Sequence, residues 1–168
     1  MRKSSLRPWL APLALLAALL AGCATPDASL LGADRAAVQA RQGSPPERYP
    51  LPGGGERWTY PVGTTQQQVF AVDFDPAGRV TQVRQVRSAE NFARVRIGVD
   101  READVLREFG RPRTKEPYPL VDLVGWMFPY VENLHLNSEM VIYFDRQGIV
   151  RRLENGPDPR YLGGGDRR

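Results

Sequence analysis

Cysteine and histidine are the scarcest chemistry in this 168-residue chain, which holds one of each, Cys23 and His135. A lone cysteine excludes an internal disulfide, so the part beyond it must stand on its core. A lone histidine leaves little for catalysis. A serine-histidine-acid triad would need His135 with Ser29, Ser44, Ser88 or Ser138, and none of these sits in a nucleophile-elbow motif. No catalytic residue is assigned, and the chain is not expected to be an enzyme. Metal ligands are equally thin. Asp73-Phe74-Asp75-Pro76-Ala77-Gly78 opens like a calcium loop but lacks the later ligands and the closing glutamate. Asp100, Glu102 and Asp104 cluster at a helix start, where negative charge complements the dipole without an ion. Gly53-Gly54-Gly55 leads into a strand rather than a helix, which is the wrong context for a phosphate loop. Neither a metal nor a cofactor is expected.

Two further things are missing. The longest apolar stretch, Leu10 to Ala21, has twelve residues and contains Pro12, whereas a membrane-spanning helix needs about twenty. Excess positive charge is also only apparent. Three of the 23 basic residues, Arg2, Lys3 and Arg7, and none of the 19 acidic ones precede Cys23, so the balance beyond falls from +4 to +1. Nucleic acid recognition calls for clustered positive charge, and no such cluster is visible.

A basic start followed by a short apolar stretch is the layout of a signal peptide, here residues 1–22. The stretch ends in Leu20-Ala21-Gly22-Cys23, which resembles the lipobox read by bacterial lipoprotein signal peptidase. That resemblance implies cleavage before Cys23 and covalent diacylglyceryl and N-acyl lipid on it. Ala24 is not the aspartate that typically retains such proteins in the inner membrane, so the implied location is the outer membrane, facing the periplasm. Several lipid chains, at about 0.8 kcal/mol per buried methylene, hold a protein far better than one.

Beyond the anchor the chain repeats itself. Residues 23–30 read as a tether, 31–87 as a first repeat, 88–155 as a second, and 156–168, rich in Gly, Pro and charge, as a flexible tail. Each repeat begins with a short helix. The first offers Asp34 as N-cap and Gly43 and Pro45 as stop signals, and the second offers Asp100, Gly110 and Pro112. Val105, Leu106 and Phe109 have helical spacing suited to burial against a sheet. A strand follows, with Trp58-Thr59-Tyr60-Pro61 echoed by Trp126-Met127-Phe128-Pro129, and alternation sends each Trp and the aromatic two residues later to one face. Both repeats close on a hairpin in which Phe74-Asp75, Gly78 and Val80 match Phe144-Asp145, Gly148 and Val150. Ser88 to Arg96 adds a short helix between them. The expected fold class is therefore α+β: two tandem units, each a helix on three antiparallel strands, packed together because neither is large.

This pattern resembles the BamE/SmpA/OmlA family of outer-membrane lipoproteins. The carrying residues are the lipobox, Ile97-Gly98-Val99-Asp100, Val105-Leu106-Arg107-Glu108-Phe109-Gly110-Arg111-Pro112, Trp126 and Phe144-Asp145-Arg146-Gln147-Gly148. They correspond to that family's Gly-x-Thr motif, its Val-Leu-x-x-Leu-Gly-x-Pro helix end, its aromatic strand and its Phe-Asp-x-x-Gly hairpin. Asp100 stands where Thr is common, Phe109 replaces Leu, and two copies replace one. The doubled architecture is also similar to that of the β-lactamase inhibitory protein.

The resemblance implies a non-enzymatic, protein-binding scaffold or outer-membrane assembly accessory with an envelope protein as partner. An inhibitor-like module acting on a periplasmic hydrolase is the alternative, with a hydrolase using His135 behind it. One segment, Tyr130 to Asn137, is longer and more apolar than its counterpart Val62 to Gln66. Tyr130, Leu134 and Leu136 either form a partner site or extend the strands and become buried, and burial of all three would remove the motive for a site there.

Overall fold

The computed structural model describes residues 25–133 and 135–162. Cys23 lies outside them, as do Leu20, Ala21 and Gly22 ahead of it and Leu134 further on. Helix α1 (Arg35–Gln42) leads into strands β1 (Glu47–Pro50), β2 (Glu56–Val62), β3 (Gln68–Phe74) and β4 (Val80–Gln85). Helices α2 (Ala89–Phe92) and α3 (Glu102–Phe109) lead into β5 (Thr114–Tyr118), β6 (Leu123–Glu132), β7 (Leu136–Phe144) and β8 (Val150–Pro157). Single 3₁₀ turns cover Ala28–Leu30 and Pro159–Tyr161.

The strands form two antiparallel meanders, sheet 1 in the order β1-β2-β3-β4 and sheet 2 in the order β5-β6-β7-β8. This corrects the expected α+β fold of two units with one helix and three strands each. Among the described residues the chain is mostly β, its sheets have four strands, and its helices run to only eight, four and eight residues. The unexpected strands are β1 and β5, which carry Pro50 and Pro117. Proline reads as a turn in sequence, yet an edge strand tolerates it because its outward side has no ladder bond to lose. Both strands are edges.

Local chemistry explains the helix ends. The Asp34 carboxylate accepts the Ala37 N–H at 2.8 Å, as an N-cap should. Asp100 does not cap α3; it accepts the Arg96 N–H at 2.8 Å, and Arg101 becomes the cap residue. Arginine has no acceptor to offer, so Asp104 reaches back to the Arg101 N–H at 3.0 Å. In the β3–β4 and β7–β8 turns, Asp75 and Asp145 accept the N–H groups of Arg79 and Ile149 at 2.8 and 2.9 Å. Asp75 is thus spent on its own turn.

Each sheet buries one face against helices. Val38 of α1 packs with Trp58, Tyr60, Val72, Phe74, Val80 and Leu30. Leu30 falls within the segment expected as a tether, but it is core. The second core gathers Phe92, Val105 and Phe109 against Trp126, Phe128, Tyr130, Ile142 and Phe144, with Phe92 stacked on Phe109 at 4.5 Å. Burying each such ring contributes about 2–3 kcal/mol. A cation from the edge strand covers the tryptophan in both sheets: Arg48 lies 4.6 Å from the Trp58 ring and Lys115 lies 3.7 Å from the Trp126 ring. Beyond residue 155 the expected loose tail is instead structure as far as Leu162. Gly156 and Pro157 complete β8, and Asp158 is fully buried.

Candidate functional site

The two sheets differ on the faces turned away from their own helices. In β2 the buried run is continuous, with Arg57 and Thr59 as inaccessible as Trp58 and Tyr60. Alternation puts these pairs on opposite faces, so sheet 1 is covered on both. The second cover is the C-terminal end of α3. Arg57 forks onto Asp73 with bonds of 2.6 and 2.7 Å, reaches Glu108 at 2.8 Å, and donates to the Arg107 carbonyl at 3.2 Å. Arg84 holds the other Glu108 oxygen at 2.6 Å. Burial works against the Arg57 charge, but the Asp73 and Glu108 carboxylates outweigh it and raise the guanidinium pKa above its ordinary value. Burial alone would raise Glu108; bonds from Arg84 and Arg57 win and lower it.

Arg87 completes the seam. It is buried and donates to the carbonyls of Phe109, Gln66 and Arg111 at 3.1, 2.8 and 2.5 Å. With no carboxylate bonded to it, burial pushes its pKa down to about 10. Carbonyls at a helix C-terminus carry partial negative charge, which is why cations collect there. Glu47 accepts the Arg111 N–H at 3.1 Å from across the seam, close beside Gly110. A side chain at Gly110 would start 3.0 Å from the Glu47 carboxylate, and the backbone there has φ +72°. Glycine is therefore required for both approach and conformation.

In sheet 2 the matching face is covered by side chains of its own strands and flanking segments: Gly125 and Met127 fall in the continuous buried run of β6, and Met127 and Tyr143 are 6% and 4% exposed. Trp58 pairs across to Val72 and Trp126 to Ile142, which aligns the registers. Gly125 then stands where sheet 1 has Arg57, Met127 where it has Thr59, Tyr143 where it has Asp73, and Glu154 where it has Arg84. On this face lies a recess of about 490 Å³ whose lining comes wholly from sheet 2 and its flanking segments. Tyr118, Met127 and Val141 form its apolar part; Glu116, Glu139 and Glu154 carry its charge. Tyr118 meets Tyr143 edge-on at 5.2 Å and lies over bare backbone, since a side chain at Gly125 would come within 2.8 Å of the Tyr118 ring. Tyr143 donates to Glu154 at 2.6 Å, and burial together with that carboxylate pushes the phenol up to about 12. At one end Arg113 contacts Glu139 and reaches Asp158 at 3.2 Å, while Arg160 holds Asp158 at 2.6 Å. Burial raises the Glu139 pKa, and Arg113 only partly offsets it.

The residues flagged from sequence fall elsewhere. Tyr130 is fully buried in the second core, its hydroxyl on Asn155 at 2.9 Å, whereas Leu136 is 58% exposed at the start of β7. The two share no surface. His135 is exposed in the turn between β6 and β7. The hydroxyls of Ser44, Ser88 and Ser138 bond to Gln39, Asn91 and Glu132 instead. Sequence reasoning missed Arg57, Arg87 and Glu108 at the seam and Tyr118, Met127 and Glu154 on the outer face of sheet 2. The available signal was the alternation of β6, which sets Gly125 and Met127 opposite Trp126 and Phe128.

No protein-family model matches the chain, and no curated protein does. Among solved structures, the chain is similar to a DUF4309 family protein (YjgB) from Bacillus subtilis subsp. subtilis str. 168, at 12% identity. The match covers 81% of this chain and 88% of that one, with a TM-score of 0.31. At that score the likeness carries no functional argument, and the resemblance to BamE/SmpA/OmlA rests on the sequence motifs alone.

Proposed function

We propose that this chain is a lipoprotein of the outer membrane, facing the periplasm and anchored through Cys23, that acts as a non-enzymatic protein-binding scaffold or assembly accessory in the BamE/SmpA/OmlA manner. The observation that supports a binding role is the recess of about 490 Å³ on the outer face of sheet 2, where Tyr118, Met127 and Val141 meet Glu116 and Glu154. The lipobox supports the location, and an envelope protein is the partner class that the location supplies. The inhibitor reading shares this surface and is favoured by its tyrosines; it differs in requiring that the captured protein be a hydrolase that loses activity when bound.

The test places a photo-crosslinking amino acid at Glu116, exposed beside the recess of sheet 2, and, as control, at Glu90, whose side chain is 80% exposed on α2. Intact cells should yield an envelope protein joined at position 116 and not at 90. Equal yields, or no envelope protein at 116, overturn the reading. The anchor is tested by fractionation: Cys23→Ala should release the protein from membranes, and equal membrane association counts against lipidation.

A further inference from the structure

Each sheet has two edge strands, and three of the four are blunted. Strands β1 and β5 carry Pro50 and Pro117, which discourage a further strand from pairing. At β4, Val86 donates to the Val69 carbonyl at 2.8 Å, one step beyond the β3–β4 register. Bonded pairs alternate along an antiparallel ladder, so the main chain of Val83 and Gln85 turns outward, and Asn91 of α2 takes the Gln85 carbonyl at 3.3 Å. At β8, Asp158 donates to the Asn137 carbonyl at 2.9 Å, again one step beyond the register. The same alternation turns the main chain of Leu153 and Asn155 outward. Counted from the tryptophan register, these residues match Val83 and Gln85 of sheet 1. Among the described residues, however, no group bonds to the outward N–H or C=O of either one. The outward side of β8 is covered at its start, where Gly98 and Asp100 bond to Val150 at 2.7 and 2.9 Å.

We propose that the free edge of β8 takes up an extended segment of a partner polypeptide as one further strand of sheet 2. This rests on the reading of the chain as a protein-binding module and names where the partner pairs and in what conformation. Donors and acceptors spaced two residues apart along a strand are matched by an extended main chain, which identifies the occupant as polypeptide. Side chains then set which segment fits. Leu153 and Asn155 lie on the core side, Leu153 against the second core and Asn155 on the Tyr130 hydroxyl at 2.9 Å. Next to them is a recess of about 250 Å³ whose lining includes Leu136, Asn155 and Pro157, with Leu136 58% exposed. The partner's core-side residues are therefore apolar. On the other side, the Arg152 and Glu154 side chains are 47% and 49% exposed, so the partner's alternate residues are charged, acidic beside Arg152 and basic beside Glu154.

The experiment adds a capped peptide of about seven residues, valine alternating with glutamate and lysine, to the isotope-labelled full chain in mild detergent and follows amide hydrogen exchange by NMR. The amides of Leu153 and Asn155 should exchange at least about tenfold more slowly with the peptide than without it. Those of Arg152 and Glu154, already bonded to β7, should not change. N-methylation of one alternate set of peptide residues should abolish the protection, and methylation of the other set should spare it, because only one set faces β8. Leu153→Pro removes an outward donor and spares the ladder to β7; its exchange in sheet 1 should match wild type while the peptide no longer protects Asn155. Equal exchange with and without peptide overturns the proposal, as does protection that survives both methylations. Protection present without peptide and lost on dilution assigns the edge to a second copy of the chain and overturns it as well. An envelope protein joined at position 116 with the β8 edge left unprotected would sink this proposal and leave the proposed function standing.

Discussion

Sheet 1 and sheet 2 share a strand order and a register around their tryptophans, yet their outer faces are covered in different ways. The outer face of sheet 1 holds Arg57 and Asp73 within 7% and 9% exposure and is sealed by the end of α3. The outer face of sheet 2 carries Gly125 and Tyr143 at those positions; it is covered by its own side chains, with Tyr143 4% exposed, and keeps a recess of about 490 Å³. The difference lies in the residues that alternate away from the core, since the core-facing set of aromatics is nearly the same in both.

The largest effect is expected from breaking the closed face. Arg57→Ala strands Asp73 and Glu108 without their shared cation, and removing one partner of a buried pair costs about 3–5 kcal/mol. Urea denaturation measures this directly, and a loss below about 1 kcal/mol would mean that the seam is held by its apolar contacts instead. A smaller loss should follow from crowding the outer face of sheet 2. Gly125→Ala puts a methyl 2.8 Å from Tyr118 and 3.1 Å from Val141, and overpacking of this kind costs about 1–3 kcal/mol. A full recovery in Gly125→Ala combined with Tyr118→Ala would show that the ring is what resists it.

Acid sharpens the comparison with the smallest effect. The Glu108 pKa lies below its ordinary 4.5, so the folded state binds fewer protons there than the unfolded state. Its contribution is complete above that value and is lost as pH falls through the lowered one. The Glu139 pKa is raised, so the folded state binds more protons and gains stability as pH falls through the raised value. Glu108→Gln should flatten the acid side of the stability profile, while Glu139→Gln should steepen it. Parallel changes in the two variants would dissolve the electrostatic distinction between the faces.

Much of the local architecture is legible before folding. Asp34 and Gly43 bound α1, Gly110 ends α3, and Asp75 and Asp145 make the hairpin turns, because each acts on backbone groups within a few residues of itself. Trp58 with Tyr60 and Trp126 with Phe128 share core faces by strand alternation alone. The edge strands β1 and β5 escaped notice because proline has the same local signature in a turn and on an edge. Tyr130 looked like a loop residue because β6 runs on to Glu132, a length set by pairing with β7 and not by anything in the loop itself.

The sequence by itself determined the cores and the turns, whose signals lie in short stretches of chain. Only the tertiary structure decided that Arg57, with Asp73 beside it, would meet Glu108 and that Glu154 would pair with Arg152 and Tyr143. Charges on alternating positions all read as solvent-facing in sequence. Which of them is buried depends on whether a segment some fifty residues away, here α3, comes to rest on that face.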